Sequence, residues 1–173
     1  MADLDLEQVA VLIVEDNLHF RTLIRTILQA LGFEDIEEAR DGAEALEVLS
    51  SFEADLAIVD WKMDGVDGLE CVRRIRSEPV EVTKFLPIIM ITGYTEESLA
   101  KQARDAGAND FLGKPISAKS LMSRIVSVLE DDRPFIKSED FFGPDRRRKD
   151  GEFDGEDRRV KRGKEVSPNG DAS

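Results

Sequence analysis

The sequence predicts an α/β fold, a parallel sheet covered on both faces by helices, and three observations predict it. Short apolar runs rich in β-branched residues recur between residues 9 and 112. Stretches with apolar side chains at helical spacing separate them. Capping and stop residues fall at the joins. Runs without polar alternation suit strands buried on both faces, and strands that alternate with helices pair in parallel through right-handed crossovers.

Val9 to Val14 is the first run, too brief for a helix, and it stops at Glu15-Asp16. Asn17 caps a helix in which Phe20, Leu23, Ile24, Ile27, Leu28 and Leu31 share one face, and Gly32 ends it. Phe33 to Ala39 is a weaker second strand. Asp41-Gly-Ala-Glu44 reads as a capping box opening a helix through Leu46 and Leu49. Asp55 to Val59 is the third strand and runs into Asp60, and Asp67-Gly-Leu-Glu70 is a second capping box for a helix that passes Ile75 and is closed by Pro79. Phe85 to Ile91 is the fourth strand. Thr95 caps a helix to Ala106 whose apolar face, Leu99, Ala100, Ala103 and Ala106, buries little area and holds it loosely. Asn109 to Leu112 is the fifth strand, and Ser117 begins the last helix. Five such units imply strand order 2-1-3-4-5, the flavodoxin-like (βα)5 doubly wound arrangement.

Of 173 residues, 41% are hydrophobic and 35% charged, enough for one domain of ordinary size. The net charge is −13, and residues 1–130, with 25 Asp/Glu against 13 Lys/Arg, carry nearly all of it. An acidic domain is repelled by nucleic acid and by anionic membrane surfaces, so cations and proteins are the expected partners. One cysteine, Cys71, excludes an intrachain disulfide. The first eight residues have no apolar core of a signal peptide, and no run is long enough to span a bilayer, which points to the cytoplasm. Residues 1–132 are the expected folded unit. Residues 133–173 hold few large apolar side chains and cannot on their own bury enough area to offset the entropy of ordering, so a disordered or partner-binding tail is expected there.

In open parallel sheets, ligands bind at the carboxyl ends of the strands beside the point where strand order reverses. Four predicted strand ends carry polar groups there: Glu15-Asp16, Asp60, Thr92-Gly93 and Lys114-Pro115. Singly, each has an ordinary explanation as a cap or a turn residue. Together, three carboxylates on one edge repel one another and destabilise the fold unless a cation sits between them. Hard oxygen ligands without His or Cys point to Mg²⁺, and a lysine and a hydroxyl beside it suggest a phosphoryl site.

These residues resemble the receiver domain of two-component response regulators, in its stand-alone, chemotaxis-regulator form, and the likeness spans residues 9–130. Its motifs are Val11-Leu-Ile-Val-Glu-Asp-Asn17, Ile58-Val-Asp60, Met63-Asp-Gly-Val-Asp-Gly68, Ile91-Thr-Gly93 and Gly113-Lys-Pro115. The resemblance implies that Asp60 takes a phosphoryl group from a phosphohistidine on a sensor histidine kinase or phosphotransfer protein. It implies that Glu15, Asp16, Asp60 and the backbone carbonyl of Lys62 hold Mg²⁺. By the same likeness Lys114 pairs with the phosphoryl oxygens, Thr92 hydrogen-bonds to them, Phe111 is the aromatic that moves with Thr92, and Lys114-Pro115 is a cis peptide. Such a chain is a switch rather than an enzyme and signals through an output protein or a phosphorylation-dependent dimer. Four positions depart from the commonest pattern: Asp64 stands where many receivers have proline, Phe111 where a tyrosine is frequent, and Lys62 and Tyr94 flank the path of a hydrolytic water.

Two other readings of the same residues are an unphosphorylated pseudo-receiver that serves as scaffold, and an aspartate-nucleophile phosphatase. The first conflicts with retention of every site group; the second needs an acid two residues after the nucleophile, where Lys62 stands. His19 is read as an exposed helix residue and Cys71 as a small semi-buried one, neither with chemistry. In the tail, Arg133-Pro-Phe-Ile136 and Phe141 to Lys149 combine aromatics with a basic cluster. That is either a solvated mixed-charge segment or a recognition element in which Phe141, Phe142 and Arg146 to Arg148 meet an acidic surface, on a partner or on this domain.

Overall fold

The computed structural model describes residues 4–78, 81–93, 97–131, 133–138, 141–145 and 164–166. Strands β1 (Val11–Val14), β2 (Ile36–Ala39), β3 (Leu56–Asp60), β4 (Ile88–Thr92) and β5 (Asp110–Gly113) form one parallel sheet in the order β2-β1-β3-β4-β5. Helices α1 (Leu18–Leu31), α2 (Gly42–Leu49), α3 (Gly68–Ser77), α4 (Glu81–Lys84), α5 (Glu97–Ala106) and α6 (Ala118–Leu129) accompany it.

Although β1 is wholly apolar and β3 and β4 are apolar up to their last residue, alternate residues feed two separate cores. Leu12, Val14, Ala57, Val59, Ile88 and Met90 face Ala45 of α2, Cys71, Val72 and Ile75 of α3 and Ala103 and Ala106 of α5. Val11, Ile13, Leu56, Ile58, Ile89 and Ile91 face Ile24 and Leu28 of α1 and Leu121, Ile125 and Val128 of α6. The sheet is thus buried on both sides, which is why these strands needed no polar alternation.

Helix ends follow the expected chemistry with some shifts. Asn17 Oδ1 accepts the Phe20 N–H at 2.9 Å, and Gly32 ends α1 at φ 106°, a left-handed position. Asp41 and Asp67 each accept the N–H three residues on, but the reciprocal half of each expected capping box is absent. Glu44 instead takes the Arg40 N–H and Nε, and Glu70 pairs with Arg74 at 3.1 Å. Ser117 and Ser120 form a complete box at α6. The second strand begins at Ile36 rather than Phe33, whose ring packs into the core from the preceding turn. The fourth begins at Ile88 rather than Phe85, since Pro87 has no N–H for the ladder and contributes only its carbonyl, to Ala57 N–H. The four-residue α4 was not expected. Pro79, Tyr94 and Thr95 lie outside the described residues. His19 is exposed and Cys71 is fully buried, its thiol pushed up to about 12 by desolvation. Among the described residues no helix is long and apolar enough to cross a membrane.

A second, smaller sheet follows residue 132. Phe135–Lys137 (β6) and Phe142–Pro144 (β7) pair antiparallel, Lys164–Val166 (β8) pairs antiparallel with β6, and this second sheet has the order β7-β6-β8. The described parts of the segment are short strands that pack on the main domain. The physical reason is that the segment does not bury its aromatics alone: the Phe135 and Phe142 rings pack at 4.8 and 5.3 Å against Phe85 of the main domain, and Phe141 is buried. Arg146 to Arg148 lie outside the described residues.

Two substitutions test this division of burial. Ile58→Ala, at a fully buried position of the central strand, should cost about 2–5 kcal/mol. Leu23→Ala, on the solvent side of α1 at 46% exposure, should change stability by no more than about 0.5 kcal/mol. Urea unfolding midpoints of the two variants check both, and equal losses would contradict the layering.

Candidate functional site

Each polar group read from the sequence leaves the sheet at its carboxyl edge. Glu15 and Asp16 follow β1, Asp60 is the last residue of β3, Thr92 the last of β4, and Lys114 the first after β5. Register brings them level, because Val14 pairs with Val59, Asp60 with Ile91 and Thr92 with Gly113. Carboxylate oxygens of Glu15, Asp16 and Asp60 lie within 4.8 Å of one another. Lys114 Nζ stands 3.1 Å from Asp60 Oδ1 and 4.1 Å from the centre of the Phe20 ring. The Lys114-Pro115 peptide is cis, as the resemblance implied. A cleft of about 720 Å³ opens over these groups and is also lined by Trp61, Lys62, Gly93 and Leu99.

Burial decides the electrostatics. Glu15 is 1% and Asp60 4% exposed, while Asp16 is in solvent. Desolvation, with the nearby Asp60 charge adding to it, raises Glu15 to about 7 against the Asn17 N–H, which stabilises its charged form from 3.0 Å. Desolvation also raises Asp60, and the Lys114 ammonium opposes that rise. Glu15 Oε2 is buried without a hydrogen-bond partner. A buried carboxylate oxygen in an all-oxygen donor set fits a hard divalent cation, so the residues present suit Mg²⁺.

A family model for the response regulator receiver domain matches residues 11–126. The chain belongs to the response regulator receiver family. It is 35% identical over 120 residues to the chemotaxis protein CheY of Pseudomonas aeruginosa, a match covering 69% of this chain and 95% of that protein. It is 33% identical to CheY-3 of Vibrio cholerae serotype O1, covering 69% of this chain and 91% of the relative. Among solved structures it resembles V. cholerae CheY4, with TM-score 0.65 and 31% identity over 69% of this chain and 98% of the other. A putative response regulator from Chloroflexus aurantiacus aligns with TM-score 0.66 and 32% identity, covering 71% and 98%.

Within this receiver the unusual Asp64 has a visible consequence. Its N–H donates to Asp16 Oδ2 at 3.1 Å, tying the loop after β3 to the loop after β1. A proline there would have no N–H to give. Lys62 is exposed on the rim of the cleft, and Phe111 is half-buried against the core that contains Met90, its partner across the β4–β5 ladder.

Sequence reasoning missed three supports of the site. Phe20 was assigned to the apolar face of α1, yet its ring carries the Lys114 ammonium. Arg21 Nη1 donates to the Glu15 carbonyl at 2.8 Å, and its Nε is 3.6 Å from Glu38 Oε1. Gly68 opens α3 against Asp60: a Cβ there would meet the Asp60 carbonyl oxygen at 2.2 Å, so no other residue fits without moving the loop. The motif from Met63 to Gly68 contains this glycine, but its contact with Asp60 exists only in the folded chain.

The Glu15 shift predicts a pH dependence whose sign is definite. Raised from an ordinary 4.5 to about 7, Glu15 keeps in the folded state a proton that the unfolded chain releases. Its stabilising contribution is complete below about 4.5 and is lost as pH rises to about 7. In metal-free protein, Glu15→Gln should therefore gain stability relative to wild type across that interval. Paired urea midpoints measured in chelator from pH 4.5 to 8 check it, and a constant difference would refute the shift.

Proposed function

We propose that this receiver accepts a phosphoryl group on Asp60 from the phosphohistidine of a sensor histidine kinase or phosphotransfer protein and passes its state to an output protein. The observation that carries the reading is the buried Asp60 carboxylate, 3.1 Å from Lys114 Nζ inside a cluster of three carboxylates at the floor of an open cleft.

A carboxylate oxygen of Asp60 attacks phosphorus as the histidine N–P bond breaks, leaving an acyl phosphate on Asp60 and a free imidazole on the donor. Phosphoryl transfer asks a protein for position and charge neutralisation rather than covalent work. Lys114 supplies fixed positive charge at the side of Asp60, and Thr92, at the next strand end and on the cleft wall, would hydrogen-bond a phosphoryl oxygen through its hydroxyl. Glu15, Asp16, Asp60 and the Lys62 backbone carbonyl would hold Mg²⁺, which neutralises the developing charge when bound. Phe111, beside Met90 in the core, is the ring that follows Thr92. The chain acts as a switch, not as a turnover enzyme. Service to a kinase phosphohistidine places it in the cytoplasm, and its acidic surface favours protein over nucleic-acid output. An unphosphorylated scaffold is the alternative that the following experiments exclude or establish.

A small acyl phosphate with Mg²⁺ should add one phosphoryl group by intact mass, and Asp60→Ala should add none. Persistent labelling in that variant would move the acceptor elsewhere; no labelling of wild type would favour the scaffold. Size-exclusion of labelled against unlabelled protein shows whether phosphorylation creates a dimer.

Mg²⁺ should raise the melting temperature of the unlabelled protein, since only the folded form gathers the three carboxylates. The gain corresponds to about 2.7 kcal/mol at a hundredfold excess over Kd. Trp61, adjoining Asp60 on the cleft wall, should report binding by fluorescence. Melting and emission indifferent to millimolar-scale Mg²⁺, with salt-matched controls for screening, would count against the metal site.

A further inference from the structure

The family match ends at residue 126, yet residues 133–138 and 141–145 are built into the domain at the edge opposite Asp60. Arg76, 3% exposed at the last turn of α3, is the centre of that junction. Its Nε donates to the Gly107 carbonyl at 2.9 Å, its Nη1 to the carbonyls of Lys84 at 2.9 Å and Leu86 at 2.6 Å, and its Nη2 to Asn109 Oδ1 at 2.9 Å. One side chain thus pins the turn after α5, the segment after α4 and the start of β5. The ring of Phe135 covers its guanidinium at 5.0 Å, and the ring of Phe142 takes Lys84 Nζ at 4.3 Å.

The backbones meet as closely as the rings. Gly107, at φ +107°, ends α5, and a Cβ there would lie 2.7 Å from the Phe142 carbonyl oxygen. A Cβ on Gly143 would lie 2.8 Å from Gly107 Cα. Two glycines therefore let β7 rest directly on the turn that closes α5. Arg133 anchors the entry of the segment, bonded to Asp131 at 2.6 Å and to the Asn109 carbonyl at 2.9 Å.

Helix α5 shares this contact with α3. Its buried side chains are small, Ala100, Ala103 and Ala106, so burial holds it weakly. Leu99, near its start, lines the cleft over Asp60, whereas Ala106 and Gly107, at its end, lie against β7. We propose that residues 133–138 and 141–145 form a strap that restrains α5 and thereby sets how readily α5 follows events at Asp60. The second part rests on the phosphoacceptor reading above. Coupling of this kind is reciprocal: if the strap favours the conformation of α5 seen here, an event at Asp60 that shifts α5 loosens the strap.

Amide hydrogen exchange on the full chain tests both parts. Gly143→Ala and Phe142→Ala disturb the strap without touching either core, and protection of β1 and β3 verifies that the fold is kept. Both should free the Ser138 and Asp145 amides, which are bonded to the Phe141 and Pro134 carbonyls, and should speed exchange along α5 by about tenfold, equivalent to ~1.4 kcal/mol. Strap amides freed with α5 unchanged would overturn the proposal. In wild type, an acyl phosphate with Mg²⁺ should speed exchange of Ser138 and Asp145, and the same reagents should do nothing in Asp60→Ala. Complete labelling with unaltered strap protection would overturn the coupling. Absence of labelling would instead count against Asp60 as acceptor, while the strap variants still decide the hold on α5.

Discussion

Gathering three carboxylates within 4.8 Å at the edge of a dry sheet is the constraint around which the domain is organised. Two of them are almost wholly buried, so the fold bears both their desolvation and their mutual repulsion. The parallel register makes the cluster unavoidable, because it ends β1 and β3 at the same level. What surrounds it moderates the cost. Lys114 lies against Asp60 from the end of β5, two strands away, and the Asn17 N–H serves one oxygen of Glu15. The other Glu15 oxygen is left for a cation. The helix opening at Gly68 comes close enough to Asp60 to fix the loop between them. A site so balanced responds strongly to added charge, whether a divalent ion or a phosphoryl group, and that sensitivity is what a switch requires.

The site was legible in the sequence because its residues stand at strand ends, and strand ends could be read from where apolar runs stop. Glu15, Asp16, Asp60, Thr92 and Lys114 all came from that one argument. Phe20 and Arg21 were not legible, since their work depends on the angle at which α1 leaves the sheet. Boundaries slipped where a proline or a core aromatic broke the pattern, as at Pro87 and Phe33. Each capping box lost its second half where a better cation stood nearby: Glu44 turned to Arg40, and Glu70 to Arg74.

The described parts of the segment after residue 132 show a contact that apolar content alone does not reveal. The segment's own side chains are too few to form a core, and that inference is sound for an isolated peptide. The domain supplies the missing half: Phe85, the aliphatic edge at Ala106, and the guanidinium face of Arg76 accept rings that the segment could not bury by itself. Arg76 gave no warning, because an arginine in the last turn of an exposed helix ordinarily faces solvent and complements the helix dipole. Burial lowers it to about 9, which still leaves a cation at neutral pH, held by neutral oxygens and an aromatic face rather than by a carboxylate.

These features set opposite requirements on α5. A helix that must respond to chemistry at its beginning cannot be anchored by large side chains along its length, and three alanines satisfy that need. The same economy leaves its far end prone to fray, and fraying would expose Gly107 and Asn109, on which Arg76 and the start of β5 depend. Enlarging the alanines would cure the fraying by locking the helix. A strap across the last turn holds the end without filling the middle, so local stability and freedom near the cleft are adjusted at separate places. It does so through backbone contact at two glycines and a cluster of three rings, groups whose grip can be loosened without unfolding either core.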